Sequence, residues 1–384
     1  MSGGVGVGVG GGGARGGSGV GDERAALAEA YAHGPGRVVE PGVSPAVAAA
    51  AGARIPLREL AGCGRFGAAV AHLVTAVATP LRWEPWNQYN DHRAYPSARA
   101  AHTVDLVLVA GGRWVLDAVR RELVGDGTPA LGGVVEIELV RRRDRLSPGY
   151  REFGDVLAEL EVGHVGAALV EHAGRLGLRA EVDGVVVRVS SHRESGEAVA
   201  PSPVRSSGVG ARGIAADPRP LPKAVLDAVV GAVGRSSGGL RHRLAVRGVR
   251  DVVDGWYAVD GGLRVVEPGD AVRSLGAVFG HPPGVFDVAS ANLALVTTGD
   301  PAEAVAASGP DGYRGLLRAA GVTGQHVCEA AAGVGAFCRP ARSVDDGALE
   351  GLVGAPAGHC LLYLLVIGRP RGAGFAYDLS PVEA

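Results

Sequence analysis

The sequence predicts an α+β protein made of two similar halves, each a mixed or antiparallel sheet with helices. Two observations predict it. The first is a register: Gly163, Gly166, Leu169, Glu171, Ala173 and Gly177 fall on Gly321, Gly324, Val327, Glu329, Ala331 and Gly335 at one constant offset. The second is the order of patterns upstream of that register. Ser97 and the strand after it parallel Ser237 and its strand, and Trp114-Val115-Leu116-Asp117 parallels Tyr257-Ala258-Val259-Asp260. Spacings between these anchors differ by insertions, so one fold is used twice, unlike the fixed period of a solenoid.

Composition bounds the function classes. With 384 residues there is room for about two or three domains. Apolar residues make up 47% and charged residues 20%, enough to bury a full core. The formal net charge of -2 argues against a nucleic acid or membrane surface held by bulk electrostatics. Cys63, Cys328, Cys338 and Cys360 form no CxxC pair and have no His at metal-ligand spacing, so they read as reduced thiols with no metal. Apolar runs fall short of the roughly 20 residues that cross a bilayer, and the N-terminus shows no export signal, so a cytoplasmic location is expected. Lys223 is the sole lysine, which removes most lysine chemistry.

Residues 1–22 are dominated by glycine and are expected to be a disordered tail. No GK[ST] and no preceding strand support a phosphate loop there. The N-terminal half is placed at 23–192, with helices at 23–33, 54–60 and 66–77. A polar aromatic loop over 83–93, holding Trp83 and Trp86, precedes strands at 104–109, 114–116 and 134–140. Arg141-Arg142-Arg143-Asp144-Arg145 reads as a solvated strand end. A small-residue helix at 157–178 and a strand at 185–189 follow.

A linker is expected at 193–204, and the C-terminal half at 205–384. It predicts a helix at 221–233 and strands at 244–249, 255–260, 263–266 and 293–298. Residues 321–332 read as a buried helix whose small residues admit a close backbone or a flat ligand. Gly333-Val334-Gly335-Ala336 then opens a loop whose N–H groups could face a ligand. Ser343-Val344-Asp345-Asp346 starts a short capped helix, and 360–367 is a continuous apolar strand closed by Gly368-Arg369-Pro370.

This order of parts resembles the C-terminal signature of the FMN-dependent nitroreductase-like superfamily. It is most similar to the branch holding azoline dehydrogenases of ribosomal-peptide biosynthesis, such as thiopeptide pathways. Members carry an EAGHxxQ helix, a GLGA turn and a strand ending in GRP. Here these are Ala320-Gly321 with Gln325, Gly333 to Ala336, and Gly368-Arg369-Pro370. The family works as a homodimer with FMN at the subunit interface, so the resemblance implies a tandem pseudo-dimer in one chain. It implies a phosphate grip by Arg205, Ser206, Ser207, Arg212 and a late arginine, Arg369 (or Arg371), because phosphate favours fixed, bidentate charge. The other half would cover the ring with Pro96, Ser97, Ala98 and Arg99, while Gln325, Gly333, Gly335 and Ala336 line the cofactor. The N-terminal half keeps only Arg54 in the phosphate region and lacks Gly-Arg-Pro, and the C-terminal half has Arg235-Ser236-Ser237 without the Pro. One functional FMN site is therefore expected, with linker solubility as the plain alternative for the arginines.

The resemblance further implies oxidation of a thiazoline or oxazoline in a precursor peptide, with a cyclodehydratase or other maturation enzyme as a plausible partner. A base must take the ring α-proton. The branch often uses a Lys-Tyr pair; here Gly149 stands at the Lys position and Tyr150 at the Tyr. Tyr150 is the first catalytic candidate and Tyr313 the second, each otherwise a packing tyrosine. His102, His164 and His326 read as satisfied interior histidines. The alternatives are an NAD(P)H-dependent nitroreductase or small-molecule flavin oxidoreductase, and a non-catalytic scaffold of a peptide-maturation complex.

Overall fold

A computed structural model describes residues 23–25, 27–28, 51–84, 89, 91–191, 204–210, 213–235, 238–372 and 376–380. The glycine tail, most of the first expected helix, Trp86, residues 193–203 of the expected linker, Arg212, Ser236 and Ser237 lie outside these.

The N-terminal sheet is built from β1 (Ala53–Pro56), β2 (Val104–Val109), β3 (Arg113–Asp117), β4 (Glu122–Gly125), β5 (Val134–Arg141), β6 (Leu178–Asp183) and β7 (Val186–Ser191). Its order is β1-β4-β3-β2-β5-β7-β6, antiparallel throughout. The C-terminal sheet uses β8 (Leu240–Val246), β9 (Gly255–Val259), β10 (Leu263–Pro268), β11 (Leu293–Gly299), β12 (Phe337–Ala341) and β13 (Cys360–Gly368). Its order, β10-β9-β8-β11-β13-β12, repeats the first sheet strand for strand apart from the extra edge β1. The expected duplication is present as an architecture.

The two sheets differ in how they are covered, and the sequence shows why. Strand β5 alternates, with Val135, Ile137 and Leu139 buried, because only one face of its sheet meets a core. Strands β11 and β13 are buried along their whole length because apolar clusters lie on both faces.

The helix expected at 54–60 is divided: residues 54–56 are strand, and only 57–60 are helical, in a 3-10 helix. Ala53–Pro56 pairs with β4 in the register Ala53↔Gly125 to Pro56↔Glu122. Pro56 cannot donate to a helix ladder but is tolerated at a sheet edge. A 3-10 turn (Leu57–Cys63) leads into α1 (Gly64–Ala78), with Gly64 at φ 84 between them. Together Leu57–Ala78 have a mean hydropathy of 1.4 over a window long enough to span a membrane, more than the apolar runs suggested. Leu60, Val70, Leu73, Val74 and Val77 nevertheless pack in the N-terminal core.

The halves meet through two long helices, α2 (Phe153–Arg175) and, after α3 (Lys223–Val233) and α4 (Pro301–Ser308), α5 (Gly312–Gly333). At their crossing a Cβ on Gly163 would lie 2.1 Å from the Arg318 carbonyl oxygen, and one on Gly321 would lie 2.1 Å from that of Leu160. The two contacts are mirror copies in the repeat register, so a pseudo-twofold axis passes between these glycines. Glu159, only 1% exposed, locks the crossing by accepting from Arg141 at 2.5 Å and from Arg318 at 2.8 Å. Helix α5 starts earlier than expected because Gly312, Gly315 and Gly321 mask its propensity; a Cβ on Gly312 would lie 2.1 Å from the Ala304 carbonyl oxygen.

The C-terminal tail returns to the other half. Tyr377–Asp378 pairs with Arg82–Trp83, which pairs in turn with Asp91–His92. Trp83, expected as a channel or loop anchor, stacks on Tyr377 with ring centroids 5.6 Å apart.

Candidate functional site

The loop after Tyr95 is held in an unfavourable backbone. Arg99, Ala100 and His102 have φ of 53°, 52° and 47°, and Arg151, next to Tyr150, has 47°. Non-glycine residues in this region each cost on the order of 1 kcal/mol or more and persist only where neighbours over-determine them. Those neighbours are visible. The His102 N–H donates to Ser97 Oγ at 2.8 Å, Ser97 Oγ donates to Glu161 at 2.7 Å, and Arg145 donates to the His102 carbonyl at 2.6 Å. Gln325 on α5 donates to the Ala94 carbonyl at 3.1 Å and to Glu329 at 2.8 Å, tying this loop to the other half.

Beside the loop sit two guanidinium groups that no carboxylate reaches among the described residues. Arg205 donates to the Tyr95 carbonyl at 3.1 Å, while its buried Nε has no partner. Arg339, on β12, lies over the Phe286 ring at 5.6 Å. Burial, with the Arg205 charge adding to it, pulls the Arg339 pKa down to about 10. Burial, with the Arg82 charge adding to it, also lowers that of Arg205. Two largely enclosed like charges without counter-ions favour an anion between or beside them. A cavity of ≈ 270 Å³, lined by Arg82, Arg93, Arg205, His172, Glu329 and Asp378, opens at the same arginine.

Tyr150 and Arg99 join this cluster. The Arg99 charge acts on the Tyr150 phenol, and its guanidinium lies over the Tyr89 ring at 5.7 Å. Burial raises the Tyr150 pKa, against the opposing pull of Arg99. Tyr150 is therefore mainly a neutral phenol near neutral pH, and its basic phenolate is a small fraction that grows with pH. Tyr89 also lies within electrostatic range of Arg339 and of Tyr150, which brings the expected N-terminal loop and Tyr150 into the neighbourhood of the C-terminal arginines.

Other expected residues stand differently. Val334, Gly335 and Ala336 spend their N–H groups on the Ala331 and Ala332 carbonyls, and Gly335 has φ 74. These amides close the end of α5 instead of facing a ligand, as C-terminal caps require. Arg369 directs its guanidinium to the Pro220 carbonyl at 3.3 Å. Arg339 stands in the cluster instead, a residue the sequence reading missed because one arginine between Cys338 and Pro340 reads as an edge-strand residue. Ser206 pairs by its carbonyl with the Cys338 N–H at 3.0 Å, and its Oγ accepts from Gly208 at 3.2 Å. Ser207 is partly exposed beside it, and Pro96 is buried. Tyr313, 1% exposed, lies in the C-terminal core with Val156, Leu160 and Leu317. Burial first, then neighbouring charge, takes the His102 and His164 pKa values down to about 3, so both rings are neutral. His164 shares a 2.7 Å hydrogen bond with Tyr363, and His326 lies 3.7 Å from Glu171.

The donor set fits FMN. A guanidinium with an unpartnered buried Nε and a second one that no carboxylate reaches among the described residues suit its phosphate, and a rigid loop from the opposite half can lie on a flat ring.

No protein-family model matches the chain, and no curated protein matches it significantly. Among solved structures, one from Anabaena variabilis described as a nitroreductase is similar at 16% identity with a TM-score of 0.69, covering 91% of this chain and 99% of that one. An FMN-dependent nitroreductase of Clostridium difficile is 13% identical over 43% of this chain and 86% of its own, with a TM-score of 0.32. The E. coli microcin synthetase complex with truncated pro-MccB17 is 16% identical over 41% and 67%, with a TM-score of 0.35. The likeness across nearly the whole Anabaena chain, together with the repeated sheets, gives the protein an α+β nitroreductase fold made of two similar halves in one polypeptide.

Proposed function

We propose that the protein is an FMN-dependent dehydrogenase that oxidises azoline rings, thiazoline to thiazole or oxazoline to oxazole, in a ribosomally made peptide. The observation that carries the flavin part is the meeting of Arg205 and Arg339, which no carboxylate reaches among the described residues, with the strained Pro96–Ser97 loop of the other half. The azoline substrate is supported by the EAGHxxQ-like, GLGA-like and GRP order of parts and by Tyr150 standing beside Arg99. FMN, when bound, supplies a hydride acceptor at N5 that returns its electrons to oxygen. Arg205 and Arg339 would hold its anionic part, Pro96 and Ser97 would cover the ring, and Gln325 fixes that loop. Tyr150 would take the ring α-proton, with Arg99 stabilising the phenolate. The precursor peptide is the proposed substrate, and a cyclodehydratase, which makes azolines, its proposed supplier.

The visible spectrum of the purified protein, with mass identification of the released cofactor, is expected to show about one FMN per chain. No flavin after soaking with FMN would leave the scaffold reading. NADPH oxidation without thiazoline-peptide oxidation would make the protein a reductase.

Tyr150 gives a pH prediction. Its pKa lies above the ordinary value of 10 because of burial, so the base form grows with pH throughout the usual assay range. Thiazoline oxidation is expected to rise with pH without a plateau below about pH 10, and Tyr150→Phe to lose about a hundredfold in kcat. A Phe variant with unchanged kcat would remove Tyr150 from the reaction.

A further inference from the structure

One buried acid at the interface has no part in the flavin reading so far. Glu161, on α2, is 2% exposed. Its Oε2 accepts from Ser97 Oγ at 2.7 Å and from Thr103 Oγ1 at 3.0 Å, while its Oε1 is buried with no partner. Ser97 Oγ already accepts the His102 N–H. The hydroxyl has one hydrogen, so its partners are set by the state of Glu161. With Glu161 ionised, the Ser97 hydrogen points into the carboxylate and only a lone pair is left for a ligand. With Glu161 protonated, the carboxyl donates to Ser97 Oγ, and the Ser97 hydrogen is released to an acceptor over the Pro96–Ser97 face.

We propose that Glu161 is a positioning residue that sets the hydrogen-bonding sense of Ser97, so that a flavin ring on this loop is held best when Glu161 carries a proton. The inference rests on the flavin reading of this site. Flavin rings present carbonyl oxygens and ring nitrogens that accept hydrogen bonds, which is the chemistry a released Ser97 hydrogen serves.

Around Glu161 stand Arg93 and Tyr95 from the loop, Arg145 from the turn after β5, and Tyr363 from β13, with His102 behind Ser97. The arginines hold fixed charge. Burial pushes the tyrosines up and His102 down to about 3, so none of these changes charge near neutrality. Burial raises Glu161 to about 7, against the pull of Ser97 and Thr103. The carboxyl is thus the group here that switches in that range.

The test compares FMN dissociation constants of the wild type and Glu161→Gln, measured by flavin fluorescence at about pH 6 and about pH 8. The phosphate of FMN titrates identically in both, so the ratio of the two constants isolates Glu161. The Gln amide does not titrate, so its hydrogen bond to Ser97 is the same at every pH in this range. The wild type is therefore expected to weaken about tenfold relative to Glu161→Gln across this range, and Ser97→Ala to abolish the difference. A second readout needs no flavin. A carboxyl raised in the folded state is more protonated there than in the unfolded chain, so apo stability should fall as pH rises from about 4.5 to about 7, and Glu161→Gln should flatten that slope. A constant ratio with bound FMN overturns the inference alone. No FMN binding by the wild type at any pH overturns the flavin reading and this inference with it.

Discussion

Gly163→Ala is expected to destabilise the protein by about 3 kcal/mol or more, read as a loss of denaturant midpoint. The new Cβ would stand 2.1 Å from the Arg318 carbonyl oxygen and 3.0 Å from the Gly321 Cα, and all of these atoms are backbone. No side-chain rotation relieves the overlap, so α2 and α5 must separate and open both cores. Gly166, three residues along the same small-residue helix, is the control. Its Cβ would meet Val182 at 3.6 Å, an ordinary contact, so Gly166→Ala should be neutral or more stable by up to about 1 kcal/mol from helix propensity. Equal stability of the two variants would contradict the crossing.

The second large effect is on the cofactor. Arg205→Met is expected to weaken FMN about a hundredfold, since a charge-assisted phosphate contact contributes roughly 1.5–3 kcal/mol. The apo protein should melt no lower than the wild type. Arg205 is a largely enclosed cation whose Nε is unpartnered and whose pKa burial depresses, so removing its charge relieves a cost while Met keeps the packing. A variant that binds FMN as tightly as the wild type would detach Arg205 from the phosphate. Weakened binding with a lowered apo melting point would make Arg205 a structural residue.

Much of the fold was legible because its constraints are periodic. Strand β5 shows its one-sided burial as alternation, β13 its two-sided burial as a continuous run, and the glycines of α2 and α5 repeat because both serve the same crossing. Strand β1 was illegible because its pairing partner, β4, lies far along the chain and nothing local distinguishes it from a helix. At the candidate site, sequence order pointed to the Pro96–Ser97 loop, Tyr150 and Arg205, whose roles toward a cofactor are part of the proposal. It did not point to Arg339 or Glu161, since what matters about each is a missing partner, and an unpaired charge is a property of three-dimensional surroundings. A weak signal did exist for Glu161: a carboxylate within an otherwise small and apolar helix needs a reason to be there. The amides of residues 333–336 misled for the converse reason, because a glycine turn after a helix satisfies its own cap before it serves a ligand.

The tail that crosses to pair with Arg82–Trp83, and the single chain that joins the halves, change what this interface can tolerate. Two separate subunits must recover every unfavourable burial from association, and at low concentration they come apart. Here the partner is always present at an effective concentration set by the connecting chain, independent of how dilute the protein is. A seam of this kind can keep Arg205 and a proton-hungry Glu161 enclosed without dissociating. It is also released from symmetry: a substitution appears once, not twice, so one half can abandon its phosphate grip while the other keeps it.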